Sequence, residues 1–335
     1  MKFQHGGMLE KIKHDYPEQG KSWIDLSTGV SPFSYPVNIQ SISFEGLPQH
    51  HQALNNAASK YYGVDELLMI PGSMWAIQHL PLLRKMHVQD ERMVLLPKEG
   101  FNEHIKAWRL FGFTVETYER KPTAVQLDRA QACIVINPNN PTGEMLQRHE
   151  LVNMLTQLNK NNAWLVVDEA FIDTAPSENM SEFAKQDGLI VLRSFGKFFG
   201  LPGLRLGALI ASSSLLNQAC ALLNEWTINN AAQQVAIKAL LDDKWQAEMK
   251  AALTLNTNRI KALLTGTIGP TVGTELFQTV YTKNAKNMHE YLLKNGIYTR
   301  LLDGENGIRF GLPKEEWQWS RLEHVLSDYQ TNHKI

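Results

Sequence analysis

Cysteine is nearly absent: Cys133 and Cys220 are the two in 335 residues. Both stand in apolar stretches, a setting for reduced thiols rather than for a disulfide framework or a thiolate metal site. Neither sign of charge is in surplus, since 33 Lys and Arg face 34 Asp and Glu for a net charge of −1. That removes the electrostatic reason to expect nucleic acid or an anionic membrane surface as a partner. No apolar run approaches the length of a bilayer span. The N-terminus is polar and lacks the apolar core of a secretory signal, so the expected compartment is the cytoplasm. There is no internal repeat and no low-complexity segment. Metal-ligand spacing is missing too, because His50-His51 has no further ligand near it and reads as solvated loop. What remains is a chain with 43% apolar residues, long enough for one large core and a smaller domain.

The chemistry-bearing residues gather in a few stretches. The first is Ser194-Phe195-Gly196-Lys197-Phe198-Phe199-Gly200, which continues through Pro202 and Arg205 to Gly207. It follows the apolar run Leu189 to Leu192, which reads as a buried strand. Aromatic and small neighbours disfavour the charged form of Lys197, so its amine is easier to deprotonate and can attack a carbonyl. Ser194 offers a hydroxyl and Arg205 a guanidinium fork, and both suit a phosphate. Lysine, hydroxyl and guanidinium together suggest an aldehyde cofactor that carries a phosphate, pyridoxal 5′-phosphate. Taken alone, the stretch describes a surface lysine in a glycine-rich loop equally well.

Two more stretches turn that balance. Ala163 to Phe171 is a continuous apolar run carrying Asp168 and Glu169, the pattern of a central parallel strand. Asp168 then sits at the strand's carboxyl end, where ligands bind in open α/β sheets. A buried carboxylate there keeps a pyridine nitrogen protonated and makes the ring an electron sink. Asn137-Pro138-Asn139-Asn140-Pro141-Thr142-Gly143 follows the strand Ala132 to Ile136, and an asparagine in that turn can donate to the cofactor's 3′-oxygen. Lastly, Gly72-Ser73-Met74 opens the apolar-spaced helix Met74 to Leu83. Free N–H groups at a helix start form a phosphate cup, although plain helix capping has the same sequence appearance.

Further strands are expected at Met93 to Pro97, Val115 to Tyr118, Leu189 to Arg193 and Leu206 to Ala211, with helices between several of them, notably His149 to Leu158. That alternation implies a three-layer α/β/α sandwich with a mainly parallel sheet. Residues 226–264 read as long helices. Residues 273–282 read as a strand, 285–295 as a helix, and 296–302 and 307–313 as antiparallel strands of a smaller α+β domain. The expected division is an N-terminal arm at 1–36 joining the small domain, a large cofactor-binding domain at 37–225 and a small domain at 226–335.

The three stretches, in this order and at these intervals, resemble the fold-type I pyridoxal-phosphate enzymes of the class I/II aminotransferase superfamily. The chain is similar to the histidinol-phosphate aminotransferase branch, and within it most similar to the threonine-phosphate decarboxylases of cobalamin biosynthesis. The fold that this implies is the PLP-dependent transferase-like one. The resemblance gives the cofactor Gly72, Ser73, Met74, Phe101, Asn140, Asp168, Ser194, Lys197 and Arg205. Phe101 is the ring-stacking aromatic, with His104 the second candidate and a core phenylalanine the plain alternative. For the substrate, His5-Gly6-Gly7 and Asp25-Leu26-Ser27-Thr28-Gly29 resemble the decarboxylase arm, which points to His5, Ser27 and Gly29. The alternative is an ordinary arm with glycine turns. Arg309 matches the superfamily's α-carboxylate arginine, and Arg300, one face over, is similar to a decarboxylase arginine near the substrate phosphate. Both also suit a solvated strand edge. Asn140 is shared between cofactor and substrate.

The chain departs from the wider aminotransferase pattern at Leu47, where a tyrosine commonly reaches the neighbouring subunit's cofactor. It departs again at Phe171, which lacks the usual tyrosine hydroxyl, and at Gly196, where a serine or threonine often stands. The resemblance implies decarboxylation of L-threonine O-3-phosphate to (R)-1-aminopropan-2-ol phosphate by a homodimer. Two alternatives stay open. One is a histidinol-phosphate-type aminotransferase, since the cofactor serves both reactions and the protein selects by which bond it holds perpendicular to the ring. The other is a non-catalytic cofactor-binding sensor, which would carry a fused DNA-binding domain for which a chain beginning at this arm leaves no room.

Overall fold

A computed structural model describes residues 6–17, 22–49, 52–88 and 93–333. In chain order its strands are β1 (Ile24–Asp25), β2 (Leu68–Ile70), β3 (Met93–Pro97), β4 (Thr114–Tyr118), β5 (Ala132–Ile136), β6 (Trp164–Asp168) and β7 (Leu189–Ser194). They continue with β8 (Gly207–Ile210), β9 (Thr271–Thr274), β10 (Phe277–Tyr281), β11 (Ile297–Tyr298), β12 (Arg300–Leu301) and β13 (Gly307–Phe310). The chain clusters into a smaller unit, Met1–Ser34 with Pro141–Gly143 and Ala247–Ile335, and a larger unit, Tyr35–Asn140 with Glu144–Gln246.

The larger unit is built on a seven-stranded sheet of order β2-β8-β7-β6-β5-β3-β4. The five strands from β7 to β4 pair in parallel, and β8 runs antiparallel to both β7 and β2. Every residue of β5 and β6 is buried, as expected of strands covered on both faces, where sequence reads as an unbroken apolar run. One face packs the helices Ser73–Lys85 and Glu103–Leu110, bringing Ile77, Leu80, Leu83 and Trp108 against Ile134, Val166 and Leu192. Burying side chains of this size stabilises by about 1.5–3 kcal/mol each. Trp108 meets Phe113 edge-on at 4.8 Å.

The register decides where the chemistry goes. Ile136 pairs with Asp168, and Asp168 with Leu192. The carboxyl ends of β5, β6 and β7 therefore finish together, and the loops carrying Asn140, Asp168 and Lys197 leave the sheet at one edge. β2 was not anticipated from the sequence: it is short, and its pairing with β8 is a tertiary contact that no local period announces.

The helical region also differs from expectation. Residues 226–229 precede the helix Asn230–Leu240, whose start is set by Asn229 accepting from the Ala232 N–H at 2.8 Å. A second helix, Asp243–Thr267, starts where the Asp242 carboxylate accepts the Trp245 N–H at 3.0 Å. The expected border at 225/226 falls inside the larger unit, because helix Asn230–Leu240 packs on helix Gln52–Tyr62 and Gln233 Nε2 donates to the Gln49 carbonyl at 2.9 Å.

In the smaller unit β9, β10, β13 and β12 form an antiparallel sheet. The single strand expected at 273–282 is instead the β9–β10 hairpin. A Cβ on Gly273 would lie 2.2 Å from the Phe277 carbonyl oxygen, so the hairpin closes only over a glycine. Pro141–Gly143 belongs to this unit, where Thr279 Oγ1 donates to the Pro141 carbonyl at 2.7 Å. The run 296–302 also divides: β11 pairs in parallel with β1, and β12 antiparallel with β13. Between them Thr299 is fully buried and its hydroxyl lies 2.9 Å from His289 Nδ1.

Burial, with the nearby Arg300 charge adding to it, pulls His289 down to about 4 from 6.5. The unfolded chain takes up this proton first as pH falls, so the stability from a neutral His289 is complete above 6.5 and is lost on the way down to 4. The loss is about 3 kcal/mol. Denaturant midpoints at pH 7.5 and 4.5 are expected to separate more in the wild type than in His289→Gln, and equal separations would refute the assignment.

Candidate active site

One cavity in the larger unit collects every residue that the sequence nominates for the cofactor. Gly72, Ser73 and Met74 stand at one side, with Ser194, Lys197 and Arg205 beside them. Phe101, Asn140 and Asp168 complete the lining, together with Phe171 and Gly196.

One end of the cavity is built by a helix start. Helix Ser73–Lys85 begins after Gly72 (φ 80°), has no side-chain cap, and carries no acidic residue in its first turn. Its leading N–H groups form the positive end of the helix dipole. A Cβ on Gly72 would stand 2.7 Å from Arg205 Nη2, and one on Gly207 would stand 2.8 Å from the Ser73 nitrogen. Glycine at both places lets the guanidinium and the sheet close in on the helix terminus. Arg205 itself has left-handed backbone (φ 54°), and its Nη1 donates to the Pro202 carbonyl at 3.0 Å. A guanidinium against the positive end of a helix is self-repelling, and an anion between them relieves both. These residues therefore fit the phosphate of the cofactor that the sequence implies. Gly207 was not singled out beforehand, since its role depends on a contact between elements remote in sequence.

Lys197 lies in the short helix Phe195–Phe198 directly after β7. Its aromatic neighbours are anchors. Phe195 stacks on Phe199 at 4.4 Å, Phe199 stacks on Trp245 at 5.7 Å, and all three phenylalanines 195, 198 and 199 are buried. Lys197 Nζ sits 5.5 Å from the centre of the Phe171 ring. Phe171 thus offers the amine an apolar wall, where a tyrosine would bring a hydroxyl. Gly196 has no room for a side chain, because a Cβ would lie 2.7 Å from Pro202 Cα.

Asp168 is buried at the end of β6 and accepts two hydrogen bonds. The Ala170 N–H reaches Oδ1 at 3.1 Å, and His104 Nε2 reaches Oδ2 at 2.9 Å. The carboxylate is an acceptor, so His104 carries its proton on Nε2. His104 is therefore not a stacking residue. It is 1% exposed, stands edge-on to Phe101 at 6.4 Å, and orients Asp168 from behind. Sequence reasoning had both residues, but helix Glu103–Leu110 and β6 meet only in the fold.

Next to Asp168 lies a second buried charge group. Arg193 Nη2 bonds Asp173 Oδ1 at 2.6 Å, its Nη1 reaches Glu169 Oε2 at 3.4 Å, and Tyr61 donates to Asp173 at 3.0 Å. Burial pushes the Glu169 carboxyl up to about 7 against the pull of Arg193. This cluster ties the segment after β6 to β7 and so holds Asp168 and Lys197 at a fixed spacing.

The substrate candidates in the smaller unit fare differently. His5 lies outside the described residues. Ser27 is fully buried and its hydroxyl is committed, donating to Asp25 Oδ1 at 2.6 Å and accepting from the Gly7 N–H at 2.8 Å. In this arrangement Ser27 anchors the arm. Gly29 is buried in the same turn. Arg309 is buried and its Nη2 donates to the Ser27 carbonyl at 2.5 Å. Arg300 was expected one face over, but it pairs directly with Arg309 across β12–β13, which puts both on one face. Burial first, and the Arg300 charge second, lower Arg309 to about 10. Arg300 also bonds Asp303 at 2.9 Å.

The chain belongs to the family of class I and II aminotransferases, whose family model matches residues 34–302. It is 36% identical over 330 residues to the threonine-phosphate decarboxylase of Pseudomonas aeruginosa, covering 98% of both chains. It is 32% identical to the threonine-phosphate decarboxylase of a Sinorhizobium species, over 96% of this chain and 97% of that one. Its fold superposes with a TM-score of 0.83 on histidinol-phosphate aminotransferase from Sinorhizobium meliloti, solved in complex with pyridoxal-5′-phosphate, at 17% identity over 98% of this chain and 96% of that one.

A hydrogen bond to a charged group contributes about 1.5–3 kcal/mol. His104→Leu is accordingly expected to lower kcat/KM by about tenfold to a hundredfold with the cofactor retained, and Asp168→Asn by more. An unchanged His104→Leu enzyme would remove the histidine from the site. Gly72→Ala forces a side chain onto a positive φ, costing about 1–2 kcal/mol. Its cofactor is expected to dissociate about tenfold more readily in dialysis followed by absorbance; wild-type retention would show that the cup tolerates a methyl group.

Proposed function

We propose that this chain is a pyridoxal 5′-phosphate enzyme that decarboxylates L-threonine O-3-phosphate to (R)-1-aminopropan-2-ol phosphate. The observation carrying the reading is the single cavity that unites Lys197, Asp168 and the Gly72–Met74 helix start with Arg205, in a chain similar over nearly its whole length to threonine-phosphate decarboxylases. When bound, the cofactor supplies an electron sink for the pair left on the substrate's α-carbon when the bond to the carboxylate breaks.

The protein's own groups do the rest. The helix start at Ser73 and Arg205 would bind the cofactor phosphate, with the Ser194 hydroxyl beside them in the cavity. Asp168, oriented by His104, would hold a proton on the cofactor's ring nitrogen. Phe101 would cover the ring and exclude water. Asn140 would donate to the 3′-oxygen, a duty that Phe171 cannot share. Lys197 would hold the cofactor through its aldehyde, and its Nζ would carry the proton delivered to the substrate's α-carbon. Arg309 takes the substrate carboxylate. Its support is local: a buried guanidinium lowered by burial and by Arg300 gains from an anionic group, and a bidentate fork fixes that group's plane. By fixing the orientation of that carboxylate, Arg309 would select CO₂ loss over proton loss.

We also infer a homodimer in the cytoplasm. Leu47 and Trp226 are 63% and 55% exposed on one groove of the larger unit, an apolar surface suited to burial against a second copy. None of the described helices is long and apolar enough to cross a membrane.

The deciding experiment supplies cofactor-loaded protein with L-threonine O-3-phosphate, with and without 2-oxoglutarate. CO₂ and aminopropanol phosphate are expected in equal amounts regardless of the keto acid. Glutamate formed only with 2-oxoglutarate, and no CO₂, would make the chain an aminotransferase.

A further inference from the structure

The smaller unit holds two arginines that repel each other. Arg300 and Arg309 are cross-strand partners in β12 and β13, and like charges set opposite one another destabilise a strand pair. The strands alone do little to keep them there. β12 has two residues and lies at the edge of the order β12-β13-β10-β9. Its easiest relief is to twist away and carry Arg300 out to water. Arg300 is kept in nevertheless: its side chain is 15% exposed, and its charge acts on the buried Arg309.

The hold comes from the residue before it. At Thr299 the chain leaves one sheet and enters another, since Ile297 and Tyr298 pair with β1 and Arg300 begins the pairing with β13. Thr299 is fully buried, and its hydroxyl lies 2.9 Å from His289 Nδ1. His289 is buried in helix Ala285–Lys294, which packs on β11, β12 and β13 together. The helix therefore pins the joint between the two sheets. On the arm side, the Leu26 N–H donates to the Tyr298 carbonyl at 2.7 Å, and Arg309 Nη2 donates to the Ser27 carbonyl at 2.5 Å. On the other side, Arg300 bonds Asp303 at 2.9 Å. That contact lies within three residues of chain, so it moves with the β12–β13 hairpin and cannot anchor it.

The residue type suits the task. A lysine or arginine at 289 would add a third positive charge beside the pair. A carboxylate there would pair with Arg300 and compete with an anionic ligand. A neutral imidazole bonds a hydroxyl and does neither. Burial first, and the Arg300 charge second, pull His289 down to about 4 and so keep it neutral.

We propose that His289, acting through Thr299, is a positioning residue for the substrate: it fixes Arg300 beside Arg309, so that the smaller unit presents two guanidinium groups at a set spacing to an anionic amino acid. The inference rests on the reading that Arg309 takes the substrate carboxylate. The repulsion between the arginines is held in the free protein and is relieved when the anion arrives.

The test measures kcat and KM for L-threonine O-3-phosphate with cofactor-loaded enzyme. Beside them it measures the substrate concentration that half-saturates the change in cofactor absorbance, which needs no turnover. Thr299→Val keeps the shape and removes the hydroxyl. It is expected to raise KM and the half-saturating concentration by about tenfold, the scale of one hydrogen bond to a charged group. The same variant is expected to hold kcat within about twofold, because Arg309 keeps its own partner in the arm. His289→Leu is expected to match it, and if that variant does not fold, Thr299→Val carries the comparison. Thr299→Ser and His289→Asn keep a polar group in place and are expected to stay near the wild type. Arg300→Met raises KM as well, and Thr299→Val added to it is expected to raise KM no further, since both act through one guanidinium. A bond that serves folding alone would lower kcat through loss of folded enzyme and leave KM unchanged; that result overturns the proposal, as does a full second rise in the double variant. A wild type that shows the absorbance change but releases no CO₂ would end the decarboxylase reading, and the half-saturating concentrations would still decide the role of His289. A wild type with neither signal overturns both.

Discussion

Parallel pairing between β5, β6 and β7 brings Ile136 level with Asp168, and Asp168 level with Leu192. Side chains on a strand alternate between faces, so a slip of one residue would turn Asp168 away from the cavity and leave an ionised carboxylate in the apolar layer. The register is held by burial on both faces, with Ile134, Val166 and Leu192 packed under two helices, and by the Arg193 ion pairs that join β7 to the segment after β6. Apolar packing sets how far each strand travels, and the loops that follow inherit its precision. Lys197 and Asp168 are placed by that geometry before any ligand contributes.

Charge in the larger unit is distributed by the same logic. Asp168 is buried, yet it receives a backbone N–H and an imidazole N–H, so its desolvation is offset by bonds that leave it an acceptor. Arg193 is buried and surrounded by acids. Arg205 is exposed at the mouth of a helix start, where its repulsion with the dipole waits on an anion. Buried ion pairs contribute little net stability. Their effect here is positional: the Arg193 pairs fix the segments that carry Asp168 and Lys197 into the cavity.

That the nominated residues line one cavity is legible in the sequence because they sit at strand ends and a helix start, features with local signatures. The unbroken apolar run before Asp168 announces a central strand, and the turn after Ile136 announces a loop at the same sheet edge. What escaped notice depends on contacts between distant segments. His104 had to meet β6 before it could be read as a partner of Asp168. β2 had to pair with β8 to be a strand at all. The arm shows what the sequence leaves unseen: the Ser27 hydroxyl is bonded to Asp25 and Gly7, and only the fold discloses those partners. The arginines of β12 and β13 were assigned to different faces because the linear reading ran through Thr299 as one continuous strand.

Gly196 bears on how this site could have diverged from its relatives. A methyl group at that position would already press on Pro202, so the serine or threonine often found before the lysine cannot be restored by a single substitution. Pro202 must first move or be replaced, and Pro202 also supplies the carbonyl that holds Arg205. The two positions are therefore locked in order: a lineage, or an engineer, seeking a further hydroxyl in the phosphate cup has to rebuild the loop from 200 to 205 before touching residue 196. An intermediate carrying the 196 change alone would be at a disadvantage, which makes the glycine a ratchet rather than a neutral choice.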